Sequence, residues 1–242
     1  NETVILTLSN ANNASIDNST GTLTIWPPPF VSIADVTTAD ESAADATFTA
    51  TLSTASPFVT TVDYATSNGT AVVGSDFTAS SGTLTFAIGE TSKTFIVPVL
   101  ADSTDETNET ATVTLSNASI FDGNGTPLAT VLGLTAVEAE NLATATIGDA
   151  TGTLTITDDD TAPTVSFSSP SSSGAESVSS KALTVELSAA SGQDVTVDYA
   201  YMGNATGSGV DYSPTNGTPT IAAGSTSGTI NISGIVDDAL DE

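Results

Sequence analysis

Short runs in which apolar and polar residues alternate recur at 31–33, 47–52, 60–66, 82–86, 93–100, 110–115 and 151–156. Alternation with a period of two puts every second side chain on one face, the pattern of a half-buried strand. Gly, Asn, Asp and Ser between the runs supply the turns. Seven short strands with regular turns predict an all-β, immunoglobulin-like seven-stranded sandwich. Only 5% of residues are aromatic while 38% are hydrophobic, so its core is expected to be built from small β-branched side chains. The stretch from Leu128 to Ala145, rich in Ala and Leu, is the one place where a helical turn or two is expected.

The same words return along the chain. Val62-Asp63-Tyr64-Ala65 reappears as Val197-Asp198-Tyr199-Ala200, and Gly74-Ser75-Asp76-Phe77 reappears at the same offset as Gly209-Val210-Asp211-Tyr212. Gly21-Thr22-Leu23-Thr24-Ile25 matches Gly152-Thr153-Leu154-Thr155-Ile156, and the opening Asn1-Glu2-Thr3 matches Asn108-Glu109-Thr110. Such internal repetition is the mark of a tandem array. It divides the chain into the last strands of one module (1–29), a complete module (30–162) and the first strands of a further one (163–242). Trp26-Pro27-Pro28-Pro29 joins the first two as a stiff polyproline segment. Asp158-Asp159-Asp160-Thr161 leads into the third. From Asn117 to Gly152 the complete module carries about 24 more residues than the first does from Asn10 to Gly21, a length usual for a functional or mobile loop.

Charge narrows the function. Twenty-nine acids face two bases, Lys93 and Lys181, for a net charge of −27. A nucleic-acid surface is excluded, because that affinity comes mainly from Lys and Arg neutralising phosphates. With neither Cys nor His, disulfides, thiolate or imidazole metal sites and every nucleophile–His arrangement are excluded too. Hard cations held through oxygen remain, as does solubility in salt water. No run approaches the roughly 18 apolar residues of a membrane span, and a soluble chain is expected. The acids cluster at strand ends: Glu41 in a turn, Asp76, Asp102 and Glu106 in the loop before the run at 110–115, and Asp158, Asp159 and Asp160 after the last strand. So many carboxylates would repel one another unless a cation neutralised them, and calcium takes six to eight oxygens from such loops. Acid pairs also serve in glycosidases, but acids at repeated positions with no other catalytic group point away from an enzyme.

Residues 62–71, Gly74-Ser75-Asp76-Phe77, residues 81–91, the acidic loop 102–109 and Ile156-Thr157-Asp158-Asp159-Asp160 together resemble the Calx-beta motif over nearly the whole chain. That module occurs in sodium–calcium exchangers, integrin β4 and large secreted bacterial proteins. The resemblance implies an immunoglobulin-like sandwich that binds Ca2+ at one loop end, with ligands at Glu41, Asp76, Asp102, Glu106, Asp158, Asp159 and Asp160 and the Thr104 carbonyl as an addition. In the third module it implies Glu176, Asp211, Asp237, Asp238 and Glu242. Where exchanger domains carry two adjacent acids this chain has Ala101-Asp102, which argues against a full four-ion cluster, and Pro27-Pro28-Pro29 replaces the first module's closing acids.

Two functions follow as expectations. One is a calcium-stiffened repeat of a secreted or cell-surface filament, adhesin or array, with neighbouring copies of itself as head-to-tail partners that complete each other's sandwiches. The other is a calcium-sensing regulatory module. A glycan or protein receptor is a further partner class, with the 120–150 segment as its contact, and ten Asn-x-Ser/Thr sequons mark the chain as a glycoprotein wherever it meets an oligosaccharyltransferase.

Overall fold

The structure, a computed structural model, describes residues 2–25, 27–38, 40–42, 45–122, 124–127, 130, 145–175, 177–202, 211–213 and 216–236. Their regular elements are strands: β1 (Glu2–Thr7), β2 (Thr20–Ile25), β3 (Phe30–Ile33), β4 (Val36–Thr37), β5 (Ala46–Leu52), β6 (Val59–Asn68), β7 (Ser81–Phe86), β8 (Ser92–Val97), β9 (Glu109–Phe121), β10 (Thr146–Asp149), β11 (Thr151–Ile156), β12 (Val165–Phe167), β13 (Ser180–Leu187), β14 (Val195–Thr196), β15 (Thr220–Ile221) and β16 (Ser227–Ser233). Two compact units result. The first comprises 1–37, 45–99 and 110–155; the second comprises 38–44, 100–109 and 156–242.

In the first unit β1 and β2 form an antiparallel hairpin, Glu2 opposite Ile25 and Thr7 opposite Thr20. The sandwich that follows it in sequence has sheets of order β10-β3-β5-β8 and β4-β11-β9-β6-β7. The seven runs read from the alternation all fall on strands. β5 shows why, since its inward residues Ala46, Phe48, Ala50 and Leu52 are buried while those between them are not. The run at 93–100 stops at Val97 because Pro98 has no N–H for a ladder. Two short strands, β4 and β10, escape the pattern. Each lies where the chain crosses from one sheet to the other, so neither is long enough to alternate. Gly152 is required at one crossing, where a Cβ would sit 3.0 Å from the Ala34 carbonyl oxygen and 3.1 Å from the Phe48 ring.

Between the sheets Val31, Phe48, Val62, Phe86, Val97, Val113 and Leu154 are fully buried. Phe95 stacks on Tyr64, ring centroids 3.9 Å apart, and on Phe48 at 5.5 Å. Each such side chain contributes roughly 1.5–3 kcal/mol by leaving water. The expected helical stretch 128–145 lies outside the described residues apart from Thr130 and Ala145.

The second unit repeats part of this plan in the same register. Thr60 pairs Phe86 and Thr61 pairs Thr85 in the first unit, while Val195 pairs Ile221 and Thr196 pairs Thr220 here, the sequence offset of the repeated words being kept in every case. Phe48 opposite Phe95 returns as Leu183 opposite Ile230, and Val31 opposite Leu52 as Val165 opposite Leu187. Val185, Leu187, Ile221 and Ile230 form its buried cluster.

Candidate metal centre

Three loops of the second unit meet, those at 38–42, 100–109 and 156–160. Thr38, 8% exposed, ties the first to the last: its Oγ1 accepts from the Thr157 amide at 3.1 Å and its carbonyl accepts from Thr157 Oγ1 at 3.1 Å. The Asp102 amide donates to Glu41 Oε1 at 3.3 Å, which brings the middle loop to the first. Asp102 in turn shapes its own loop, its Oδ1 accepting the Thr104 amide at 2.6 Å as in an Asx turn. Asn108 Oδ1 takes the Asp158 amide at 3.2 Å, and Ser42 Oγ donates to Asp159 Oδ2 at 2.6 Å.

Glu41, Asp158 and Asp160 each place a carboxylate oxygen within 4.8 Å of the other two. Glu41 is 9% exposed. Burial pushes its carboxyl above the usual range, the Asp102 amide opposes this, and the Asp102 and Asp160 charges, with a side-chain hydrogen bond to Asp160, raise it further. Asp158 Oδ1 and Asp160 Oδ2 are buried with no hydrogen-bond partner. Lys93 pairs with Glu90 at 2.8 Å, so that base is engaged elsewhere. Two like charges about 4 Å apart near a protein surface repel by roughly 4 kcal/mol, and buried polar oxygens without donors are rare. A cation answers both. The donors are all hard oxygens from separate loops of adjustable spacing, which suits calcium better than the rigid, partly hydrated octahedron of magnesium.

The other nominated residues stand as follows. Asp102, Thr104 and Asp159 adjoin the cluster through the bonds just given. Glu106 and Glu109 bring carboxylate oxygens within 4.8 Å of each other. The Glu106 side chain also covers Gly192, where a Cβ would meet its Cγ at 2.6 Å. Asp76 belongs to the first unit, where its Oδ2 accepts the Val72 amide at 2.6 Å and closes a turn. Asp211 accepts the Val236 amide on its carbonyl at 3.0 Å. Glu176, Asp237, Asp238 and Glu242 lie outside the described residues. The sequence does not single out Thr38, Ser42, Asn108 or Glu109. Nothing separates the first three from the many other Thr, Ser and Asn of this chain, whereas Glu109 lies in an acidic loop already nominated.

An all-β, immunoglobulin-like sandwich in the first unit and an acidic oxygen site on the loops of the second define the class. The Calx-beta domain model matches residues 30–151 and 158–242, and the chain belongs to the Calx-beta family. Curated relatives include sodium/calcium exchanger 1 of Cavia porcellus, 34% identical over 159 residues, and that of Bos taurus, 33% identical over 164. Each match covers 64% of this chain and 16% of the relative, so the chain spans about a sixth of their length. Similar solved structures include the Calx CBD2 domain (TM-score 0.46, 20% identity, 54% of this chain and 86% of that one) and the calcium binding domain CBD12 of CALX1.1 (TM-score 0.40, 22% identity, 85% and 75%).

Proposed function

We propose that this chain is a calcium-binding structural repeat of an extracellular filament, adhesin or surface array, without catalytic activity, whose copies join head to tail. The observation that carries the calcium part is the pair of buried, partnerless oxygens on Asp158 and Asp160 beside Glu41. A cation there would tie together the loops at 38–42 and 156–160, with the 100–109 loop fixed to them through the Asp102 amide. The structural role is favoured by the tandem repetition and by acidity suited to a saline exterior. A regulatory calcium sensor is the second reading, favoured by the likeness to sodium/calcium exchanger 1.

Thermal melting with calcium and with chelator tests the first claim. Calcium at 100 times its Kd should stabilise the fold by about 2.7 kcal/mol, and coincident melts would overturn the calcium reading. Melting of the metal-free protein followed by re-addition of calcium separates the two roles. A structural repeat regains only its stability, whereas a sensor also gains or loses affinity for a partner.

A further inference from the structure

The acidic loop at 100–109 is held in two places, both within the second unit. Its hold on the metal centre is the Asp102 amide on Glu41 Oε1. Its other hold is on a turn of the further module, between β13 and β14. Ser191 is 1% exposed there, and its hydroxyl donates to Asp105, 3.2 Å from the carbonyl oxygen and 3.1 Å from Oδ2. A hydroxyl has one proton, so those two oxygens share it. The Gly192 amide supplies another, donating to the Asp105 carbonyl at 2.9 Å.

The complete module carries a copy of this turn at Ser56, which is 3% exposed. The two turns are built alike. The Phe58 amide donates to Ser56 Oγ at 3.1 Å, as the Gln193 amide does to Ser191 Oγ at 3.1 Å. The Gly89 amide donates to the Ser56 carbonyl at 2.9 Å, as the Gly224 amide does to that of Ser191 at 2.8 Å. One position differs in kind, because Pro57 stands where the further module has Gly192. Proline has no N–H to offer a carbonyl. A ring at 192 would also collide with Glu106, whose Cγ lies 2.6 Å from where even a Cβ would sit. The buried hydroxyl therefore serves the turn in both modules, and glycine at the next position opens one of them to a neighbouring loop.

We infer that Ser191 and Gly192 are positioning residues of the metal centre. They fix Asp105, and through it the loop whose Asp102 amide holds Glu41, so the calcium affinity of a site built by residues 38–42 and 156–160 depends on two residues of the module that follows. This rests on the calcium reading above and deepens it by naming residues that tune the site from outside. The path between the two holds is short. The Thr104 amide is bound to Asp102 Oδ1, so residues 102 to 105 form one tight turn with little slack, and displacing Asp105 displaces the Asp102 amide. A loop already fixed at Asp105 gives up less freedom when a cation draws Glu41 toward Asp158 and Asp160. The coupling is reciprocal, and bound calcium should tighten the contact at Ser191 by the same factor.

Calorimetric titration of calcium into the full metal-free chain, as wild type, Ser191→Ala, Gly192→Pro and Ser56→Ala, tests this. Ser191→Ala should weaken calcium about fivefold or more, the low end of ordinary coupling between sites. Gly192→Pro gives this turn the residue found in the complete module and should weaken it at least as far. Ser56→Ala loses the same internal bond of the same turn without touching the acidic loop, and its affinity should match wild type. Metal-free melts separate positioning from general damage: both serine variants should lose stability, and only Ser191→Ala should lose affinity as well. Equal affinities for wild type and Ser191→Ala would overturn the inference and leave the calcium reading standing, and an equal loss in both serine variants would overturn it too. A wild-type chain that takes up no calcium overturns the calcium reading itself. The contact is also read without metal, since the Gly192 amide should exchange slowly in the chelated wild-type chain and faster in Ser191→Ala, and free exchange in both would contradict it.

Discussion

Two regions of this molecule are built from the same sequence words, and one of them is closed while the other is open. In the module that begins at β3, the inward positions of β9 and β3 are covered. In β1 and in β12 the matching positions stand exposed. Local strand geometry is the same in both, down to single hydrogen bonds and one left-handed Asn. What differs is how far the matching side chains are covered, so alternation makes the strand and the facing side chains make the core.

That difference sets the largest expected effect. Phe48→Ala empties a fully buried site and should cost about 3–5 kcal/mol, whereas Leu183→Ala, its half-buried counterpart, should cost less than about 2 kcal/mol in dilute protein. Denaturant melts read both, and a loss at Leu183 that climbs with protein concentration would sharpen the contrast. Equal losses at low concentration would break it.

The acids of the loop cluster come next. Glu41→Gln and Asp160→Asn should each weaken calcium about tenfold or more, roughly 1.4 kcal/mol, yet raise the melting temperature of the metal-free protein by relieving repulsion. Asp198→Asn, at a position held by Thr218, should leave calcium affinity unchanged. A metal-free melt lowered by the first two changes would mean their charges already had a protein partner.

A pH series follows from the raised carboxyl of Glu41. Between its unfolded value near 4.5 and its higher folded one the native protein holds more proton, so its contribution to metal-free stability falls as pH rises through that window. Calcium binds the ionised form, and the stabilisation it adds should therefore grow over the same window. Melts with calcium and with chelator, taken from below that window to neutral pH, measure it, and an increment independent of pH would contradict the role given to Glu41.

The smallest effect separates two asparagines. Asn117→Ala removes the bond to Asp63 and strains a left-handed site, costing roughly 1–2 kcal/mol. Asn10→Ala strains a left-handed site without removing an equivalent bond among the described residues and should cost less, a difference that denaturant melts of the two variants measure.

Much of the fold was legible because period-two alternation survives in every long strand of the sandwich. β4 and β10 are short and switch sheets, so there was no period to read. The second unit was legible through a sequence offset kept from β13 to β16, which preserved pairing register as well as words. The site was legible only as loops. Glu41 and Asp158 stand near opposite ends of the module in sequence, and nothing local says that a turn after one short strand meets the exit of the last. The partners that fix them, Thr38, Ser42 and Asn108, are residue types the chain uses everywhere, so composition hid them.

Calcium held by Glu41, Asp158 and Asp160 is tested most directly by calorimetric titration of the metal-free chain alongside Asp160→Asn. Saturable binding to the first, weakened at least about tenfold in the second, is the expected result. Isotherms that coincide, or a wild-type chain that takes up no calcium, would contradict it.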